Sequence, residues 1–194
     1  MNVSLSGTNI LQSGSRTVPY ITSPGGAVQL TEYSAHPTSQ AVIDSVLSRE
    51  YKNLYQKTIA NNTASSIDTA IQFEAATNGV DLTQSFPSSY SGSRLKSIAK
   101  IIAARSPLGM DRQVFFLNRG GWDNHKEVLL KQGDLLSELD AAIGAFWAQM
   151  VDLGLENDVI LFTASDFGRT LTSNGDDSDH GWGSHHFVMG GAVN

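Results

Sequence analysis

Apolar and polar positions change rhythm several times along these 194 residues. Residues 1–36 are rich in Ser, Gly, Thr and Pro, with short β-prone pieces such as TVPYI at 17–21. From Pro37 to Asn78 the rhythm turns helical. The stretch TSQAVIDSVLSREYKNLYQKTI brings Val42, Val46, Tyr51, Leu54 and Tyr55 round at helical spacings, and SSIDTAIQFEAAT resumes the pattern after Asn61 and Asn62. GVDLTQSFPSSYSGS reads as a polar linker. SRLKSIAKIIAARS then predicts a helix with Ser93 as its cap and Leu95, Ile98, Ile101 and Ile102 on one face.

The second half reads differently. DRQVFFLNRGGWDNH is a short, nearly all-apolar run that ends in a double glycine, the pattern of a strand covered on both faces in a parallel sheet. The helix that follows, residues 125–154, carries Leu136, Leu139, Ile143, Phe146, Trp147 and Met150 along one stripe and stops at Gly154. NDVILFTASDFG predicts a second such strand and HHFVMGG a third. Strand, helix and strand make a βαβ unit with a right-handed crossover. The fold class expected is therefore α/β, a mostly parallel sheet flanked by helices. Residues 1–92 form a Ser/Gly-rich segment with a helical insertion, and residues 93–194 form the βαβ core of the same domain. Both ends of the chain look like the interior of something longer, so a fragment is expected.

Composition narrows the function classes. The formal net charge is −6 with no Lys/Arg cluster, which argues against a nucleic-acid groove or an anionic membrane surface as partner. No apolar run approaches the roughly 20 residues that a spanning helix needs. With zero cysteines there are no disulfides and no thiolate metal sites. The N-terminus has no basic segment leading into an apolar one, so no secretion signal is visible.

What remains is a concentration of acids and imidazoles. The stretch SDFGRTLTSNGDDSDHGWGSHH, residues 165–186, holds three of the five histidines, and a fourth, His125, follows the first apolar run. In open α/β sheets, ligands bind at the carboxyl ends of strands. Asp123 and His125, two apart in an extended segment, project to the same side. Asp166 follows the second strand, and Asp179, His180, His185 and His186 close the polar loop. Carboxylate plus imidazole, without thiolate, is the donor set of a catalytic divalent metal: zinc first, with manganese, iron, magnesium or calcium as alternatives. Taken singly, each residue has an ordinary explanation, such as an Asx-turn at Asp123 or a surface position for His125. Only their joint placement points to a site. Asp176, Asp177 and Asp179 read as solvated loop charge, with Asp179 alone expected to support a histidine from behind. NGDDSD lacks the spacing and closing Glu of an EF-hand loop. Arg169 is placed either to hold an oxyanion or to pair with Asp166 or Asp123 and tie the loops together.

Several ordered motifs, namely SLSGTNILQSG, GGWDNH, LLSELDAAIGAFWAQM and LFTASDFGRTLTSNGDDSDHGWGSHHFVMGGAV, resemble the bacterial proteins grouped as domain of unknown function 1501. That resemblance covers essentially the whole chain. It implies the alkaline phosphatase/sulfatase-like superfamily and a protein about twice this length. It also implies export, in many members by a twin-arginine signal. The superfamily holds two divalent metals through an Asp-x-x-x-His motif, an Asp-His pair and a distal His. Carried over to this chain, Asp123 and His125 stand at the first motif, with shorter spacing. Asp166 opens the pair, with Phe167 in place of its His, and His180 or His185 is the distal ligand. The Ser or Thr nucleophile is expected upstream of residue 1. The function implied is metal-dependent hydrolysis of a small-molecule or polymer phosphate or sulfate ester, with Arg169 on the ester's oxyanion. These 194 residues alone are expected to be inactive. The alternative is an exported binding or structural protein that keeps the fold without turnover.

Overall fold

A glutamine side chain adds to the backbone pairing near the start of the chain. Gln12 is buried, and its amide nitrogen donates to the carbonyls of Val3 and Val114, both at 3.0 Å. It thereby clips together the first strand, β1 (Asn2–Ser4), and β4 (Val114–Phe116). This is a computed structural model in which every residue is described except 16, 18, 28, 29, 31, 32, 34 and 194. Val18, within the piece expected to be β-prone, lies outside the described residues. The chain divides into two compact units, residues 1–80 with 100–117 and residues 81–99 with 118–194. Among the described residues, no helix is long and apolar enough to cross a membrane.

In the first unit, β1 pairs in parallel with both β2 (Tyr20–Ser23) and β4, and β2 pairs antiparallel with β3 (Gly26–Ala27). The order is β3-β2-β1-β4, with Val3 and Ser4 fully buried at its centre. Among the elements described after β3 in this unit are α1 (Pro37–Leu47) and α2 (Leu54–Asn78). The break between them falls at residues 48–53, while Asn61 and Asn62 lie inside α2. Asn53 sets that boundary, because its side-chain oxygen accepts from the backbone N–H of Tyr55 and Gln56 and satisfies two free donors of the new helix. Phe73 of α2 is buried and packs its ring 4.7 Å from that of Tyr20. Val42, Val46, Leu54 and Tyr55, which the sequence placed on helical faces, are exposed.

Helix α3 (Tyr90–Ala103) begins four residues earlier than its pattern predicted. Ser89, not Ser93, does the capping, since its hydroxyl accepts from Gly92 N at 3.2 Å. Leu95, Ile98, Ile101 and Ile102 are all buried, as their spacing required. In the second unit the long helix α4 (Val128–Asp152) buries Ala142, Phe146, Gln149 and Met150. Leu136, assigned by the sequence to the inward stripe, is 41% exposed, so the stripe runs through Leu139 and Phe146 instead. Gly154, at φ +66°, ends the helix. Its N–H donates to Val151 O, and Leu155 N donates to Met150 O, with both Met150 and Leu155 buried.

The strands after α4 are short and antiparallel. Leu161–Phe162 (β5) pairs with Val188–Met189 (β8), and Gly168–Arg169 (β6) pairs with His180–Gly181 (β7). The architecture is thus mixed α/β with small mixed sheets. The expectation of strands covered on both faces is not met, since Val114, Phe162 and Val188 are 55%, 70% and 58% exposed. An all-apolar run makes a strand well suited to burial, but it encodes neither the direction of its partner nor what covers it.

Candidate metal centre

The site lies wholly within the second unit and is built from two loops. The first, Asn118–Glu127, precedes α4. Arg119 anchors its start: its Nε donates to Glu138 Oε2 at 3.0 Å, and its Nη1 donates to Gly120 O at 2.7 Å. Glu138 also accepts from Ser91 N at 2.8 Å and Ser91 Oγ at 3.1 Å, which caps the start of α3. Burial pushes the Glu138 carboxyl up. The Ser91 N–H, the Ser89 and Ser91 hydroxyls and Arg119 outweigh it and leave the group at about 2. Gly121, at φ +96°, then turns the chain toward Trp122, Asp123 and His125. The loop leaves through Glu127 at φ 54°, the only non-glycine residue with a positive φ among those described.

The second loop, residues 163–187, is closed at its neck by the β6–β7 ladder. Arg169 pairs with His180 in register and bridges to Gly183. Glycine is required here because the two backbones nearly touch. A Cβ on Gly168 would meet Gly183 O at 2.5 Å, and one on Gly181 would meet Thr170 N at 2.8 Å. At the tip, Asn174 and Asp177 lock together. Asp177 N donates to Asn174 Oδ1 at 3.0 Å, and Asn174 Nδ2 returns a bond to Asp177 Oδ1 at 2.7 Å.

These loops bring two imidazoles to one carboxylate oxygen. Nε2 of His180 lies 2.7 Å from Asp123 Oδ1, and Nε2 of His125 lies 2.8 Å from the same atom. All three side chains are about half exposed, and one ligand atom from each lies within 4.8 Å of the other two. The imidazoles stack, with ring centroids 5.4 Å apart, and Phe167 covers the other face of His180 at 4.2 Å. The hydrogen bond from His180 holds the Asp123 carboxyl below the usual carboxylate range. The nearby His125, His180 and Arg169 charges act in the same direction, against partial desolvation.

The chain belongs to the DUF1501 family. Its description is "Protein of unknown function (DUF1501)", and the match runs over residues 1–194. No match is found among the curated proteins or among the solved structures.

Of the ligands expected in this DUF1501 chain, Asp123, His125 and His180 converge. Asp166 and His185 are exposed and fall outside that group. Phe167, the residue after Asp166, is the one that reaches His180. Arg169 is largely buried, at 14% side-chain exposure. It donates to the carbonyls of Ser178 and Trp122, the latter at 3.1 Å, and so ties one loop to the other. Its Nη2 is 3.9 Å from Asp123 Oδ1 and its Nη1 is 3.9 Å from Asp177 Oδ2. Asp179, the acid expected behind a histidine, is exposed and accepts from Asn174 Nδ2 at 3.2 Å. The carboxylate beside His125 is Asp177, which the sequence had grouped with solvated charge. Its side chain is 1% exposed, and its Oδ2 lies 3.5 Å from His125 Nδ1. The Asn174-x-x-Asp177 turn spacing was the available signal for it.

Proposed function

We propose that this protein binds a divalent cation, zinc first, through Asp123, His125 and His180, and that the centre serves a metal-dependent hydrolase of phosphate or sulfate esters. The observation that carries the reading is the convergence of two imidazole nitrogens on Asp123 Oδ1, at 2.7 and 2.8 Å. The donor set fits such an ion, because one carboxylate and two imidazoles without thiolate are the ligands of catalytic zinc, manganese or iron centres. Three protein ligands and half-exposed side chains leave room for a substrate oxygen or water. Asp123 is also held ionised, as a ligand must be.

A bound cation would polarise an ester oxygen and favour ionisation of a nucleophile. The chain's own residues position it. Arg119 and Glu138 fix the first loop, and the β6–β7 glycines let His180 approach Asp123. Arg169 joins the two loops through Trp122 and Ser178. Of its two expected roles, tying the loops together is the one for which its hydrogen bonds are made. DUF1501 membership, together with the motif resemblance at Asp123, His125, Asp166 and the distal His, supports placement in the alkaline phosphatase/sulfatase-like superfamily and export of the protein.

The second reading is a protein that keeps this centre, or its remnant, for binding alone. Phe167 in place of a ligand favours it. Zinc-dependent binding of inorganic phosphate or sulfate tests the hydrolase reading, because it requires an ester-oxyanion site but no nucleophile. The hydrolase reading expects phosphate or sulfate to bind the zinc-loaded wild type and not Asp123→Ala. Zinc uptake without oxyanion affinity would favour the binding protein.

A further inference from the structure

We infer that Asp177 is the positioning residue of this centre: it fixes His125 so that Nε2, rather than Nδ1, is offered to the cation. The inference rests on the metal reading above and goes beyond its ligand set.

Asp177 combines features that a loop acid in a run of acids does not normally show. Its side chain is 1% exposed, and one of its oxygens is engaged, since Oδ1 takes the N–H of Asn174 Nδ2 at 2.7 Å. The other oxygen, Oδ2, is buried and makes no hydrogen bond among the described residues. A buried carboxylate oxygen left in that state is costly to desolvate unless a charged or strongly polar group faces it. Two groups face Oδ2: His125 Nδ1 at 3.5 Å and Arg169 Nη1 at 3.9 Å, both at ion-pair rather than hydrogen-bond distance. The unused acceptor therefore points into the candidate site.

Ring geometry sets the role. Nδ1 and Nε2 lie on different edges of an imidazole, and in His125 the Nε2 edge faces Asp123 while the Nδ1 edge faces Asp177. A cation shared with Asp123 and His180 uses Nε2, so Asp177 lies on the wrong side of the ring to be a ligand. It is placed to accept a proton carried on Nδ1, which leaves the Nε2 lone pair free. Metal-bound histidines are commonly held in this way by a carboxylate. The Asn174 turn supplies the rigidity. Asp177 is also hydrogen-bonded through its backbone, donating to Asn174 Oδ1 and accepting at its carbonyl from Ser173 Oγ at 3.0 Å. Arg169, 3.9 Å from both Asp123 and Asp177, offsets the repulsion between the two carboxylates.

The test follows from the fixed half of the carboxylate. In Asp177→Asn the oxygen that accepts from Asn174 is retained, so the new NH₂ group faces His125 Nδ1. The ring must then accept at Nδ1 and carry its proton on Nε2, the atom the cation needs. Zinc affinity is measured by calorimetry for the wild type, Asp177→Asn and Asp179→Asn, with amide NMR spectra to check the fold. Nitrogen-15 NMR of the histidines reports which ring atom binds zinc. The expected result is zinc on Nε2 and a proton on Nδ1 of His125 in the wild type. Affinity should fall about 10- to 100-fold in Asp177→Asn. Asp179→Asn removes the same charge from the same loop and should change affinity less than about twofold. Wild-type zinc binding that Asp177→Asn matches within twofold, with the same His125 protonation, overturns the role of Asp177 alone. So does an equal loss in Asp179→Asn, which would reduce the effect to loop charge. If Asp177→Asn disturbs the fold, the wild-type spectrum decides: zinc on Nδ1 of His125 overturns the inference. Absence of zinc uptake by the wild type overturns the metal reading and this inference together.

Discussion

Two carboxylates in the second unit, Glu138 and Asp123, each collect several donors, yet they do opposite work. Glu138 is mostly covered, and backbone, hydroxyl and guanidinium groups surround it on an α4 that is locked at its far end by Gln149 and Asp152. There, Gln149 Oε1 accepts from Gln84 N at 3.0 Å, and Asp152 Oδ2 accepts from Thr83 Oγ1 at 2.5 Å. Its partners are permanent donors with no competing role. Asp123 is half exposed, and its partners are two imidazoles, groups that also ligate metals. The contrast separates scaffold from site. A network of guanidinium, hydroxyl and amide donors holds a helix start in place. A network of imidazoles around an accessible carboxylate is ready to exchange its shared contacts for an ion.

Substitutions sharpen that contrast. The largest effect is expected for Asp123→Ala, which removes the atom on which both histidines converge. Zinc affinity in calorimetry should fall by more than about 100-fold, while thermal stability changes by less than about 1 kcal/mol because the side chain is exposed. A loss of stability with unchanged affinity would place Asp123 with the scaffold.

Glu138→Gln should do the reverse, lowering unfolding free energy by about 2 kcal/mol in denaturant titrations with little change in zinc affinity. The same group gives a pH dependence. Its folded-state value of about 2 lies below the ordinary 4.5. Its stabilisation is therefore present above 4.5 and is lost as pH falls from 4.5 toward 2. With a discount for partial exposure, that loss is roughly 2 kcal/mol. Acid titration of Glu138→Gln should lack this component, and an identical acid profile for the two proteins would contradict it.

A smaller effect is expected at the neck of the second loop. Alanine at Gly168 would bring its Cβ within 2.5 Å of Gly183 O, forcing β6 and β7 apart and shifting His180. Roughly 1–2 kcal/mol of stability and about tenfold in zinc affinity should be lost together, read from melting and calorimetry on one sample. The smallest change is a gain. Glu127 sits in the left-handed region, where glycine avoids a cost of about 1–2 kcal/mol but adds chain entropy to the unfolded state. Glu127→Gly should raise stability by about 0.5 kcal/mol, and a fall of that size would show that its contact with Lys131, at 3.6 Å, matters more.

The two regions also differ in how far the sequence exposed them. The buried face of α3 was legible because a 3.6-residue period is local information: Leu95, Ile98, Ile101 and Ile102 are buried as their spacing demanded. Three of the five expected ligands come together, and were legible because histidine is scarce in this chain and its grouping stands out, whereas Asp166 and His185 do not join them. Asp177 was not legible, because a run of acids looks solvated until His125, distant in sequence, and Arg169, from the same loop, come up to it. Nor was Phe167's place against His180, which depends on how the Ser165–Phe167 turn projects alternate side chains. The antiparallel pairing of β5 with β8 was hidden for a simpler reason: apolar runs carry no strand direction.

The central claim is a cation held between Asp123, His125 and His180. Anomalous diffraction at the zinc edge from crystals grown with zinc tests it most directly. The expected result is one peak about 2.0–2.2 Å from an Asp123 carboxylate oxygen and from Nε2 of both histidines. Peaks only elsewhere on the protein, or none, with the imidazoles still hydrogen-bonded to Asp123, would contradict it.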